Sequence, residues 1–386
     1  MHRSICALTL VLGLAWTATG QTTETPPAAT GSEKPAADKP ADATPAAPPA
    51  SAWSVGPIDF SGLVDGYYSA NFNHPASQTN QLYNFNVKAN QFSLNMAKLT
   101  MAHTADPIGF QIDLGFGRAF DMIHATEKAP NVFQYIEQAF ITVKPASLKG
   151  MQLDFGQFVT NAGAEVIETH SNWNYSRSIL FSWAIPYYHF GARATMPFNS
   201  HFSGVFGVYN GWNNVEDNNS GKTIHVGANF TGKKVSWSNN YMVGPEKADT
   251  NKGLRHLYDT TLLLTPNDHA NFYINYDYGV DKHIGSGEDV WNGIAFAGRF
   301  SKGDWAFAPR YEWFNDHNGF STGTAQTLKE FTLTGEYKMK EGLISRLEFR
   351  RDMSDQPFFD RGADIASVKT QSTLTLGIVA YFGPKR

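Results

Sequence analysis

The residues best suited to act on a ligand recur at every second position. Arg346, Glu348 and Arg350 form the densest such row, and Asp113, Asp154, Arg193, Arg255, Asp259, Arg299, Arg310 and Glu312 hold comparable alternate positions elsewhere. Alternate side chains of an extended strand leave on the same face, so these rows put charge on one face and apolar groups on the other. The chemistry open to them is noncovalent: they hold water, pair with one another and set the field that a passing solute meets. The mixed signs argue against a strongly anion-selective ladder.

A second candidate group sits in the longest connection, residues 159–185, which carries Glu165, Glu168, His170 and Arg177 among Trp173, Tyr175 and Trp183. That is too much apolar surface for a loop in free water, and long connections with packing of their own are commonly functional. We expect it to fold against the interior of whatever the strands enclose and to narrow it. Glu165, Glu168 and Arg177 would then select by size and charge. A packed external cap is the alternative.

Covalent chemistry finds no comparable support. Ser171 stands beside His170, but adjacency in sequence says nothing about a catalytic pair. The histidines lack metal-ligand spacing. Asp217-Asn218-Asn219 and Asp316-His317-Asn318-Gly319 offer hard oxygen ligands, yet such clusters are ordinary turn chemistry. No glycine loop suits a phosphate. With a formal charge of −4 and no basic block, nucleic acid is not an expected partner. The expectation is a non-enzyme without cofactor or metal.

The elements that carry these residues are strands. Phe331, Leu333, Gly335, Tyr337 and Met339 alternate with polar neighbours, as do Leu374, Leu376, Ile378, Ala380 and Phe382. Helical spacing fits neither run. Sixteen segments of this kind fall near 58–72, 84–103, 107–118, 133–144, 149–158, 186–197, 200–212, 222–231, 234–244, 254–265, 269–280, 288–300, 304–315, 328–339, 343–353 and 369–382. Their connections alternate in length without exception. Tight turns such as Asp106-Pro107 and Asn199-Ser200 are followed by long polar connections at 73–83, 119–132, 159–185, 213–221, 245–253, 281–287, 316–327 and 354–368. A transmembrane barrel sorts its connections this way, with short periplasmic turns and long extracellular loops. The fold class is therefore all-β, a transmembrane antiparallel barrel of about sixteen strands, wide enough for an aqueous lumen. Mean hydropathy of −0.34 does not oppose this, because only every second residue meets lipid. Phe198, Phe230, Phe300 and Phe382, with Trp237 and Trp305, cluster beside short turns as an interfacial girdle would.

Several short motifs add a resemblance. Gly62-Leu63-Val64-Asp65-Gly66-Tyr67-Tyr68, Glu137-Gln138-Ala139-Phe140, Gly156-Gln157-Phe158, Asn172-Trp173-Asn174-Tyr175-Ser176-Arg177-Ser178 and Asn210-Gly211-Trp212-Asn213 occur in an order that resembles the beta-barrel porin-2 family of OmpL-like porins, over residues 58–382. The resemblance implies an outer-membrane porin and transfers no solute and no site residue.

Ahead of the barrel, residues 1–20 read as a cleaved signal peptide, with Arg3 before an apolar run and Ala18 and Gly20 at the cleavage positions. Residues 21–52 read as a Pro/Ala-rich spacer, and residues 53–386 as the barrel. Cys6 lies within the signal segment, so the mature chain has no disulfide. The expected protein is a porin of a Gram-negative outer membrane that passes small hydrophilic solutes by diffusion. Its neighbours would be membrane lipid and lipopolysaccharide, and by analogy with other porins it would form a homotrimer. The rival classes are a surface adhesin or structural barrel, and a barrel-borne hydrolase.

Overall fold

Lipid on one side and polar groups on the other require each strand to alternate, and the alternation is what the chain shows. In the strand over 370–382, Leu374, Leu376 and Ile378 are 38–49% exposed, whereas Thr373 and Thr375 between them are 1% exposed. A water-soluble sheet would bury the leucines. Here the apolar face is the outer one.

The computed structural model describes residues 53–340 and 342–384. Sixteen strands form the wall. The first eight are β1 (Ile58–Asn71), β2 (Phe92–His103), β3 (Ile108–Phe116), β4 (Ile136–Val143), β5 (Gln152–Val159), β6 (Tyr188–Pro197), β7 (Phe202–Tyr209) and β8 (Thr223–Thr231). The others are β9 (Val235–Pro245), β10 (Leu254–Asn267), β11 (Ala270–Lys282), β12 (Glu288–Lys302), β13 (Trp305–Asp316), β14 (Gln326–Lys340), β15 (Leu343–Ser354) and β16 (Thr370–Phe382). Each pairs antiparallel with its sequence neighbours. β16 returns to β1, from Thr373 opposite Asn71 to Phe382 opposite Gly62, and closes the cylinder. Closure leaves no row of unpaired backbone groups facing lipid, which a bilayer would penalise by several kcal/mol for each group. The signal-peptide and spacer assignments lie outside the described residues.

The short and long connections fall at opposite ends of the barrel, as the lengths predict. The second long connection contains two short helices, α1 (Arg118–Ile123) and α2 (Pro130–Phe133), and the last contains a hairpin pairing Phe359–Arg361 with Asp364–Val368. At the short-turn end Phe198, Phe300, Trp305 and Phe382 are all more than 40% exposed on the outer wall. The Trp53 ring lies 4.9 Å from that of Phe382.

One segment departs from expectation. The alternation over 84–103 predicts a single strand, but β2 begins at Phe92. Residues 82–91 instead bend into the lumen, burying Leu82, Tyr83, Phe85, Val87 and Ala89. Leu82 and Asn90 take positive φ values of 67° and 58°, which break extended geometry. The pattern misleads because Asn84 and Asn86 are buried as well, so the alternation there does not separate two environments.

Leu376 lies mid-strand on the outer wall, so Leu376→Arg should cost about 2–4 kcal/mol in denaturant unfolding from lipid vesicles. A cost under about 1 kcal/mol would place that position outside the apolar band.

Candidate functional site: a loop held inside the barrel

The loop between β5 and β6 runs through the interior of the cylinder, and the wall's charged residues hold it there. Glu348 on β15 accepts the backbone N–H groups of Tyr175 at 2.6 Å and Ser176 at 2.9 Å. Glu312 on β13 does the same for Ile179 at 2.9 Å and Leu180 at 3.1 Å. A carboxylate that accepts two consecutive amides satisfies donors otherwise orphaned in a dry interior, and the Ile179 and Leu180 amides lead into a helical turn over Leu180–Ala184. Asp259 on β10 accepts the Gly163 amide at 3.0 Å, and Asp65 on β1 accepts the Tyr175 hydroxyl at 2.6 Å together with that of Thr169.

The guanidinium groups take the loop's carbonyls. Arg346 donates to the carbonyls of Thr169 at 2.6 Å, Asn172 at 2.5 Å and Asn174 at 3.1 Å. Arg350 donates to the Arg177 carbonyl at 2.7 Å, and its guanidinium lies 4.3 Å from the Tyr83 ring centre. Arg310 donates to the Ser176 carbonyl at 2.8 Å and pairs with Glu165 at 2.7 Å. Glu330 on β14 also pairs with Arg310, at 3.1 Å. The sequence places Arg310, Glu312, Arg346, Glu348 and Arg350 on the inner face as a wetted wall. They do face inward, but all are 2% exposed or less, because the loop covers them. At these positions the wall meets protein.

The remaining members of the inner rows pair along the wall. Asp154 binds Arg193 at 3.1 Å, whose guanidinium lies 4.2 Å from the Phe158 ring centre. Arg255 binds Asp281 at 2.7 Å between the rings of Trp212 and Phe320, and Arg299 binds Glu336 at 2.8 Å. Asp113 accepts from the Gln138 side chain at 2.6 Å and lies 3.0 Å from Lys98.

The three loop residues singled out in sequence are near one another but differ in surroundings. Arg177 bonds the loop to itself, donating to the carbonyls of Tyr175 at 2.7 Å, Val166 at 2.9 Å and Ile167. It therefore folds the loop and does not face open space. Glu165 and Glu168 line a cavity of about 480 Å³ between the loop and the wall. Lys98, Trp173, Tyr273 and Tyr381 line it too, and it reaches the short-turn end at Ser61, Phe382 and Pro384. Aromatic pairs form part of its lining: Trp173 lies 5.1 Å from Tyr273, and His170 stacks on Tyr381 at 4.7 Å.

Lys98, which no sequence motif marks, sits among three carboxylates. Its ammonium is 3.0 Å from Asp113 and from Glu137, and it pairs with Glu168. Burial pushes the Glu168 carboxyl up, but Lys98 pulls it further down, to about 2. Burial lowers the His170 pKa. Glu137 reaches the group because the β3–β4 register slips between Asp113 and Leu114, a bulge that turns two consecutive residues of β4 toward the lumen. Strict alternation along β4 cannot reveal it.

Residues 82–91 buttress the loop from the other side. The Phe85 ring lies 5.8 Å from those of Phe181 and Tyr187, and the Arg177 guanidinium lies 4.7 Å from the Phe85 ring centre.

A closed sixteen-strand antiparallel barrel with an apolar outer face, long loops at one end and short turns at the other defines a porin-type outer-membrane barrel. Residues 57–382 match the model of the family described as Putative beta-barrel porin-2, OmpL-like, and the chain belongs to that family. No curated protein matches the sequence. Solved structures that share the fold include an anion-selective porin from Comamonas acidovorans, at 10% identity and a TM-score of 0.57, covering 84% of this chain and 99% of that one. The outer membrane channel DcaP of Acinetobacter baumannii has 11% identity and a TM-score of 0.57, with 84% and 97% covered. OmpT of Vibrio cholerae in its trimer form has 14% identity and a TM-score of 0.54, with 84% and 99% covered. At such identities the likeness is one of fold.

Lys98→Met would leave Asp113, Glu137 and Glu168 together without a cation, and the expected loss is about 3–5 kcal/mol in vesicle unfolding. A loss below about 1 kcal/mol would mean that the carboxylates do not depend on the ammonium. Because the Glu168 pKa is depressed, its pairing stabilises above the ordinary carboxylate range and is lost only as pH falls toward 2. Protease resistance of the loop should therefore persist from pH 7 to 4 in the wild type. Arg177→Ala should expose the loop to protease while the heat-shifted gel mobility of the barrel stays intact.

Proposed function

We propose that this protein is an outer-membrane diffusion porin for small hydrophilic solutes, throttled by its 159–185 loop, and that it is not an enzyme. The observation that carries the reading is the cavity of about 480 Å³ under that loop, which joins the polar groups of Glu165, Glu168 and Lys98 to the short-turn end of a porin-type barrel. In this reading Glu168 presents charge to the solute, Glu165 is taken up by Arg310 and the Ser178 N–H, and Arg177 holds the loop in the shape that presents Glu168. Arg193, Arg255 and Arg299 keep part of their surface open to the polar interior, where Asp154, Asp281 and Glu336 neutralise them, whereas Asp113, Asp154 and Asp259 are buried against their partners and do not meet solute. The loop's cover over Arg310, Glu312, Arg346, Glu348 and Arg350 narrows the bore, so the accepted solutes are small. Membrane lipid, lipopolysaccharide and further copies in a homotrimer are the expected neighbours, the last supported by the trimer form of a fold relative.

The same cover favours a second reading, a barrel whose interior is occupied and whose role is structural or adhesive. Planar-bilayer recording separates the two. A porin gives discrete conductance steps, and removal of residues 164–182 should raise them several-fold and enlarge the largest sugar that swells loaded liposomes. No steps from the folded wild type, or steps unchanged by the deletion, would overturn the throttled-porin reading.

A further inference from the structure

Among the described residues, two cations on the outer wall have no carboxylate partner. Lys329 on β14 and Arg351 on β15 both point outward and are exposed. Among the described residues, neither has a carboxylate within 4 Å, and Arg351 donates only to the Ser372 hydroxyl, at 3.1 Å. By contrast, Lys282, at the loop end of β11, is neutralised by Glu288 across the strand pair. With no carboxylate beside them, these cations are open to an anion supplied by the membrane.

Register fixes their height. Lys329 lies opposite Trp313 on β13 and Met353 on β15, and Arg351 lies opposite Phe331 and Ser372. Because Met353 and Arg351 are two residues apart, the two cations are diagonal neighbours, about 7–8 Å apart at their backbones. Lys329 stands eight residues above Tyr337, whose ring centre lies 4.4 Å from that of Trp305 in the lower girdle. At about 3.3 Å per residue and a tilt of about 40°, that separation is about 20 Å of membrane height. The cations thus lie near the top of an apolar band of about 25 Å, at the loop end of the barrel. Phe331 beside Arg351, with Leu347 and Leu374 below, forms an exposed apolar ledge.

We infer that Lys329 and Arg351 form a docking site on the barrel's outer wall for the phosphate groups of an outer-leaflet lipopolysaccharide, with its acyl chains lying on the ledge below. The inference rests on the outer-membrane placement but not on conduction through the lumen.

The test is binding of fluorescent lipid A to the full-length protein in detergent, with its heat-shifted mobility confirming the fold. Bis-phosphorylated lipid A should bind wild type at least tenfold more tightly than it binds the Lys329→Gln, Arg351→Gln double variant, and Lys329→Arg should retain the affinity. Dephosphorylated lipid A should bind wild type no better than it binds the double variant. Equal binding of wild type and double variant, or of phosphorylated and dephosphorylated lipid, would overturn the proposal. Displacement of the lipid by millimolar inorganic phosphate would also overturn it, since the site would then be one for free anions. Bilayer conductance of the double variant separates this failure from failure of the porin reading, because the altered residues face away from the lumen.

Discussion

Three guanidinium groups inside a tube set the terms for the rest of the interior. Arg310, Arg346 and Arg350 are buried, and a buried cation is stable only with full hydrogen bonding and opposite charge around it. The wall supplies carboxylates, with Glu330 and Glu336 among them, and the loop between β5 and β6 supplies carbonyls from Thr169, Asn172, Asn174, Ser176 and Arg177. In return Glu312 and Glu348 satisfy the loop's amides. Neither partner is complete alone. An irregular segment inside a barrel is tolerated where protein satisfies its backbone, and β10, β13 and β15 do so here.

How much of this is legible in sequence follows from which forces act locally. Lipid imposes a period of two on the strands, plain in Ile224 to Phe230 and Leu374 to Phe382, and counting such runs with their alternating connection lengths gives about sixteen strands. The outer aromatics at Phe198, Phe300 and Phe382 are equally plain, because interfacial rings mark strand ends. The inward residues of β13 and β15 can be read for the same reason. What they touch cannot, because the carbonyls of Asn172 and Ser176 reach them only through the path of a loop without periodicity. Segment 82–91 shows the opposite error, an alternation of Tyr83, Phe85 and Val87 with asparagines that mimics a strand while both sets are buried. Lys98 sits on the inward phase of β2 between Ala97 and Leu99 and could have been chosen by parity alone. Glu137 could not, since the bulge that turns it inward depends on the register with β3.

The site is therefore less a ring of charges around open water than a polar seam between a wall and a lodged loop. Where that seam parts, beside Trp173, Tyr273 and Glu168, a cavity remains, bounded by aromatic rings as well as charge. Its walls combine flat aromatic surfaces with the fixed charge of the Lys98 group.

The loop also has a mechanical consequence. Its anchors lie at separate points around the circumference, on Asp65, Asp259, Glu312 and Glu348. A hollow sheet cylinder yields most easily by flattening into an oval, and ties that cross its bore oppose that mode as spokes oppose the collapse of a rim. The lodged segment thus stiffens the cross-section against lateral pressure from the surrounding lipid.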